Sequence, residues 1–143
     1  MGRHRYTLDI DAPPERVFAV YTDQASIPEW AEMRVLDATG PLDRAGTRFV
    51  AAPETRMRFR TEVLRSDPPH LHEQAGRTSS GFSYHWTATF EPDGGSTRLM
   101  LDSEYGLALG TVGRLLDRLF VGRMSARTTR GHLDRLKAIA ERG

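Results

Sequence analysis

Polar and apolar residues alternate from the start of the chain. Over residues 3–10, Tyr6, Leu8 and Ile10 share one side and Arg5, Thr7 and Asp9 the other, the period of two of a half-buried strand. Asp11-Ala12-Pro13-Pro14-Glu15 ends that strand, because proline brings no N–H to a sheet ladder yet suits the first turn of a helix. A short helix is predicted through Val17, Phe18, Val20 and Tyr21, and Pro28 opens a second one carrying Trp30 and Met33. From 35 to 105 the pattern becomes strands separated by turn chemistry, at Gly40-Pro41, Arg44-Ala45-Gly46, Asp67-Pro68-Pro69, Ser79-Ser80-Gly81 and Pro92-Asp93-Gly94-Gly95. Phe82, Tyr84, Trp86, Ala88 and Phe90 line one face of a strand, with Ser83, His85, Thr87, Thr89 and Glu91 opposite. Thr97, Leu99, Leu101, Ser103 and Tyr105 line a face of the next.

The last third reads as one helix over about 110–142. Leu115, Leu119, Gly122, Ala126, Thr129, Leu133, Leu136 and Ala140 step by four and three, the seam of an amphipathic helix. Leucines occupy its ends and small residues its middle, so the helix either approaches the sheet closely there or leaves room. The expectation is a cavity of roughly 300–1,000 Å³ beneath Gly122, Ala126 and Thr129, walled by Phe59, Tyr84, Trp86 and Leu101. A second stripe, Leu116, Phe120 and Met124, packs either on the loops around 28–33 or on another copy, giving a monomer or a weak homodimer. One strand, two short helices, a run of antiparallel strands and a long helix predict a single α+β domain over 1–143. Its expected architecture is a helix-grip fold, a curved antiparallel sheet wrapped around the C-terminal helix.

Composition narrows the function. At 143 residues there is material for one domain. Twenty basic against 19 acidic residues leave a net charge of +1, too little to draw in nucleic acid. Lys137 is the sole lysine, so the positive charge is carried by arginine. Cysteine is absent, which excludes disulfides, thiolate metal sites and a cysteine nucleophile. No apolar run reaches the roughly 20 residues of a membrane span, and residues 1–5 lack the apolar core of a signal peptide, so a cytoplasmic protein is expected. Nucleophile-elbow, phosphate-loop and His-Glu-x-x-His motifs are all missing, and no cofactor or metal is expected.

The order of elements, the segment Asp11-Ala12-Pro13-Pro14-Glu15-Arg16-Val17-Phe18, Ile27-Pro28-Glu29-Trp30, and Phe90-Glu91-Pro92 before Gly94-Gly95-Ser96-Thr97-Arg98 resemble the START/Bet v 1-like superfamily. Within it, they resemble the bacterial polyketide cyclase/dehydrase branch. The resemblance covers essentially the whole chain and implies the helix-grip fold with a hydrophobic small-molecule ligand.

Five histidines are present. His70 and His72 stand two apart, as a two-ligand metal arm or as a solvated strand edge beside Pro69, and no third ligand is identifiable. His85 falls opposite Tyr84 and Trp86 and is expected to point outward. Met57, Phe59, Thr61, Val63 and Arg65 are in phase, as are Leu71, Glu73, Ala75 and Arg77. On the gripping face this would bury charges that need partners, Glu73 pairing with Arg65 or Arg77. Alternatively, the two arginines sit at strand ends and reach into water.

His85-Trp86-Thr87, with Thr128-Thr129-Arg130 before Leu133-Asp134-Arg135-Leu136-Lys137, is similar to aromatic polyketide aromatase/cyclase domains. That resemblance implies a cofactor-independent cyclase or dehydratase that holds a poly-β-ketone between sheet and helix. Arg65 and Arg77 would stabilise enolates, with Tyr84 moving protons. Trp30, Phe59, Glu73, Trp86, Leu101, Ser103 and Ala126 would contact the substrate. Trp30 stands near a family tyrosine, Ser103 near a family glutamine, and Ala126 where a helix asparagine is expected. A non-catalytic carrier or sensor and a protein-interaction module are the alternatives.

Overall fold

The computed structural model describes residues 2–54, 57–107 and 122–142, the last helix by its backbone alone up to 127. The elements run β1 (Gly2–Ile10), α1 (Pro14–Thr22), α2 (Ile27–Ala31), β2 (Met33–Leu36), β3 (Arg48–Pro53), β4 (Phe59–Asp67), β5 (Leu71–Arg77), β6 (Phe82–Asp93), β7 (Ser96–Leu107) and α3 (Gly122–Arg142). Seven strands form one antiparallel sheet in the order β1-β7-β6-β5-β4-β3-β2, curled into a half-barrel. The two short helices carry the chain from one sheet edge to the other, and α3 packs against α1, α2 and β1. This is the expected helix-grip architecture. The start of the last helix near 110, Leu116 and Phe120 lie outside the described residues, as do the side chains of Gly122, Met124 and Ala126.

Local chemistry accounts for the joints. Pro13 is extended and Pro14 opens α1 with Glu15 in its first turn, where a negative charge favours the helix dipole. The β6–β7 hairpin turns at Gly94 and Gly95, with φ of 58° and 92°, a region that favours glycine. Thr97 is fully buried and donates to the Ala12 carbonyl at 2.7 Å, tying the β1–α1 corner to β7. Lys137 donates to the Asp9 carbonyl at 2.8 Å and pairs with Glu141 at 2.6 Å, while Glu141 accepts the Asp11 N–H at 2.8 Å. These bonds hold the C-terminal end of α3 at the same corner.

The concave side of the sheet carries Tyr6 and Ile10 of β1, Phe49 and Ala51 of β3, Val63 of β4, and Tyr84, Trp86, Ala88 and Phe90 of β6. Leu99 and Leu101 of β7 join them and are wholly buried. Phe18 and Tyr21 of α1 meet Phe90 edge-on at 5.2 and 5.4 Å. From α3, Leu133, Leu136 and Ala140 complete the core.

The gripping face of β4 and β5 departs from the expected phase. Register runs Thr61↔Gly76 and Val63↔Gln74, then slips at a bulge between Val63 and Arg65, so that Arg65 faces Glu73 and Ser66 faces His72. A bulge adds one residue and reverses which side the following positions occupy. Arg65 is therefore on the convex face, not in line with Phe59, Thr61 and Val63. In β5 the inward residues are His72, Gln74 and Gly76, while Leu71, Glu73, Ala75 and Arg77 face outward. Leu71 and Ala75 made the odd set look like the buried one.

Candidate functional site

Polar-tipped side chains converge inside the grip. All four tyrosines and both tryptophans of the chain turn to the concave interior, and five of these six are buried, with Tyr105 partly so. Proteins normally pair buried polar atoms. Here the Tyr21 hydroxyl, both indole N–H groups of Trp30 and Trp86, the Ser103 hydroxyl and both ring nitrogens of His132 have no hydrogen-bond partner among the described residues. Each unpaired group carries a desolvation cost of about 1–3 kcal/mol, and several such groups stand together in this interior.

Tyr84 sits among them as expected, but its hydroxyl is engaged. Gln74 Nε2 donates to it at 3.1 Å, and it lies 2.8 Å from Thr61 Oγ1, which in turn donates to the Phe59 carbonyl at 3.2 Å. With the Thr61 proton given to that carbonyl, the Tyr84 proton goes to Thr61. Burial pushes the phenol up to about 12, partly offset by the Thr61 and Gln74 hydrogen bonds, so Tyr84 stays a neutral phenol. Gly76 makes the relay possible. A Cβ there would stand 2.5 Å from Thr61 Oγ1 and 2.7 Å from Tyr84 Cε1.

A small cavity of about 20 Å³ opens between α2 and the sheet, lined by Tyr21, Ile27, Trp30, Ala31, Met33, Val35, Phe49, Gln74 and Trp86. It has room for one water-sized atom. Trp30 anchors α2: it is 3% exposed and stacks on Tyr21 with centroids 5.3 Å apart. Phe59 packs edge-on against Tyr84 at 5.4 Å, and Tyr84 against Trp86 at 5.7 Å. Further along the grip, Tyr105 and Thr129 share a hydrogen bond of 3.1 Å between β7 and α3. Burial raises the Tyr6 phenol, reinforced by Tyr105 and opposed by Thr129 and Arg130.

His132 of α3 is buried and faces α2, its Nε2 4.0 Å from a Glu32 carboxylate oxygen. Arg135 closes the same joint, pairing with Glu32 at 3.2 Å and donating to the Trp30 carbonyl at 3.3 Å. Burial, helped by Arg135 and opposed by Glu32, holds the His132 imidazole below its ordinary value, so it is neutral at neutral pH and able to accept a proton. His72 lies inside the core rather than at a solvated edge. Its Nε2 is 2.8 Å from the Leu42 carbonyl and its ring packs on Phe18 and Tyr21. His70 stands in the turn before β5, so the two do not share a face, and no group of three metal-binding side chains occurs among the described residues.

The expected substrate-facing charges are elsewhere. Glu73 on the convex face is held by Arg65 Nε and His85 Nε2, both at 2.6 Å. The Arg65 hydrogen bond is the main cause of its depressed carboxyl, with His85 helping and burial opposing. Arg77 lines a shallow outer depression of about 480 Å³ with Arg60, His85 and Glu104. Thus Tyr84, Trp30, Phe59, Trp86, Leu101 and Ser103 gather in the interior, whereas Arg65, Glu73 and Arg77 are separated from it by the thickness of the sheet. The Ala126 side chain lies outside the described residues. Tyr6, Tyr21, Gln74 and His132 are interior groups that the sequence reading did not single out. His132 was legible in principle, because it is in phase with Thr129, Leu133 and Leu136.

The family model for "Polyketide cyclase / dehydrase and lipid transport" matches residues 1–141. No curated protein matches the chain. Among solved structures, TTHA0849 from Thermus thermophilus is 24% identical, with a TM-score of 0.74 and 96% of each chain covered. DynU16, a protein of the dynemicin biosynthetic locus, is 17% identical with a TM-score of 0.68, over 96% of this chain and 46% of that one. Norcoclaurine synthase from Thalictrum flavum is 17% identical with a TM-score of 0.65, over 96% and 84%. At these identities the structures share the fold.

Proposed function

The chain belongs to the polyketide cyclase/dehydrase and lipid transport family, and from that premise we propose that it encloses an apolar, oxygen-bearing molecule of polyketide type between the sheet and α3. The observation that carries this reading is the set of buried polar atoms without partners in the interior. Aromatic and aliphatic walls favour an apolar chain, while the indole N–H groups and the hydroxyls of Tyr21 and Ser103 offer hydrogen bonds to its oxygens. Interior recognition is therefore by neutral donors, and the convex-face arginines take no part. Native mass spectrometry of freshly purified protein tests the reading. A retained small molecule, or saturable uptake of an added medium-chain β-diketone, is expected. A protein that retains nothing and takes up no β-diketone refutes it.

A catalytic reading is favoured by His132. A buried, neutral imidazole whose ring nitrogens make no hydrogen bond among the described residues can take a proton from the carbon between two carbonyls and return it to the oxygen or carbon left negative, with no cofactor. The enolate formed in between would be stabilised by interior donors. The carrier reading requires no such step. Proton–deuterium exchange at the central carbon of a bound β-diketone separates the two. Catalysis predicts exchange above the buffer rate that His132→Phe abolishes, whereas a carrier leaves the bound diketone exchanging no faster than the free one.

A further inference from the structure

The outer face of the sheet carries two facing arginines whose charge is left open. Four other strand arginines there are paired: Arg3 with Glu104 at 3.6 Å, Arg5 with Asp102 at 2.8 Å, Arg65 with Glu73 at 2.6 Å and Arg98 with Asp9 at 3.4 Å. Arg60 of β4 and Arg77 of β5 are exposed, and neither guanidinium has an ion-pair or hydrogen-bond partner among the described residues. The two stand directly opposite each other in the register, where facing Cβ atoms are about 4.5–5.5 Å apart and like charges repel. Both line the outer depression of about 480 Å³, together with Ser83, which faces Arg77 from β6. The nearby carboxylates are placed elsewhere. Glu104 lies 3.6 Å from both Arg3 and His85. Glu62 is two residues along β4, about 7 Å away, and faces Arg48 from the next row. Asp37 borders only a second depression on the Arg48 side. Beyond Arg77 the chain turns through Thr78-Ser79-Ser80-Gly81, which contains no acid.

We propose that Arg60 and Arg77 form an oxyanion site on the outer face that takes a phosphoryl group, with the Ser83 hydroxyl as a further donor at its rim. The site is independent of interior binding and lies on the opposite side of the sheet. Charge and shape both select a phosphoryl group. Two facing guanidinium groups bring two positive charges, which inorganic phosphate or a phosphate monoester neutralises with its one to two negative charges. A carboxylate brings one charge and two oxygens, enough for one fork. A phosphoryl group has at least three free oxygens, so each arginine can donate to it in parallel pairs. The strands fix the spacing of the two arms, and the short side chains of Ala75 and Ser83 beside Arg77 leave the depression open above the sheet. Binding also removes the repulsion between the facing arginines, a gain that an arginine already paired with a carboxylate does not offer.

Inorganic phosphate is the first probe, titrated into the whole chain at constant ionic strength made up with chloride and followed in ¹⁵N–¹H spectra. The site predicts saturable shifts centred on residues 60, 77 and 83, with acetate binding more weakly. Arg60→Gln and Arg77→Gln should each weaken phosphate about tenfold. Arg77→Lys, which keeps the charge and loses the fork, should weaken it as well. Without phosphate, neither Gln variant should lower the thermal midpoint, because each relieves a repulsion. Vesicles separate a soluble phosphate from a lipid headgroup. Sedimentation with vesicles of equal parts phosphatidylcholine and phosphatidic acid, lost in Arg77→Gln and absent with pure phosphatidylcholine, assigns the site to a headgroup. Saturation by phosphate without such sedimentation assigns it to a soluble phosphate. Shifts that chloride reproduces, or that persist undiminished in both Gln variants, overturn the site. So does the absence of both a saturable phosphate shift and Arg77-dependent sedimentation. Interior binding stands or falls separately from all of these outcomes.

Discussion

Replacing Gly76 by alanine probes the geometry on which the interior site depends. Gly76 lies in β5 opposite Thr61 and Tyr84, and an added Cβ would come within 2.5 Å of Thr61 Oγ1, 2.7 Å of Tyr84 Cε1 and 3.1 Å of the Arg60 carbonyl oxygen. Real Cβ contacts are longer than the first two, and the third atom is backbone. Tyr84 cannot simply swing away, because its other neighbours are Phe59 and Trp86 and its hydroxyl is bonded to Thr61 and Gln74. Overpacking a filled interior costs about 1–3 kcal/mol. Against this, alanine in a strand interior recovers about 0.5–1 kcal/mol of backbone entropy relative to glycine. The net expectation is a loss of about 1–2 kcal/mol, or about 3–8 °C in Tm for a domain of this size. Urea denaturation followed by tryptophan fluorescence measures it. Adding Thr61→Ala removes the nearest clash, so the double variant should recover part of the loss beyond additivity. A Gly76→Ala protein as stable as the wild type, or more stable, refutes the reasoning, for then only the entropy term operates and the Tyr84 ring does not cross Gly76.

Three further outcomes follow from the same geometry. His72 and His132 are both depressed by burial, so the unfolded chain takes up protons that the folded one refuses. Stability should be fully present above about pH 6.5 and fall as pH drops from there toward the lower folded values. Urea midpoints between about pH 8 and 5 test this: His72→Leu should flatten the slope, and an equally steep slope removes His72 from the account. Glu73→Ala should cost less than about 1 kcal/mol, because its ion pairs lie on the outer face beside an arginine whose side chain is 63% exposed. Arg65→Ala and Arg77→Ala should leave dione binding unchanged, and a tenfold loss in calorimetric titration would return them to the site. Thr97→Val should cost about 1–2 kcal/mol by removing the bond to the Ala12 carbonyl, whereas an unchanged thermal midpoint would show that corner to be held by packing alone.

Patterning alone determined the order of elements, the two short proline-led helices, the β6 and β7 faces and the inner seam of α3 from Thr129 to Ala140. In these segments one side is mostly apolar, so burial selects a single phase and neighbouring residues agree on it. Trp30, Tyr84, Trp86, Leu101 and Ser103 were legible as interior residues for that reason. β4 and β5 carry mixed patterns, and there only the tertiary structure decided. One bulged residue at Leu64 moves Arg65 to the convex face. In β5 the inward places go to His72, Gln74 and Gly76, because what matters there is a bond to the Leu42 carbonyl, a bond to Tyr84 and the space for its ring. Hydrophobicity ranks none of these above Leu71 or Ala75. The unpartnered donors of the interior are equally invisible to sequence, since whether a buried N–H finds an acceptor depends on atoms brought together from strands and helices far apart in the chain.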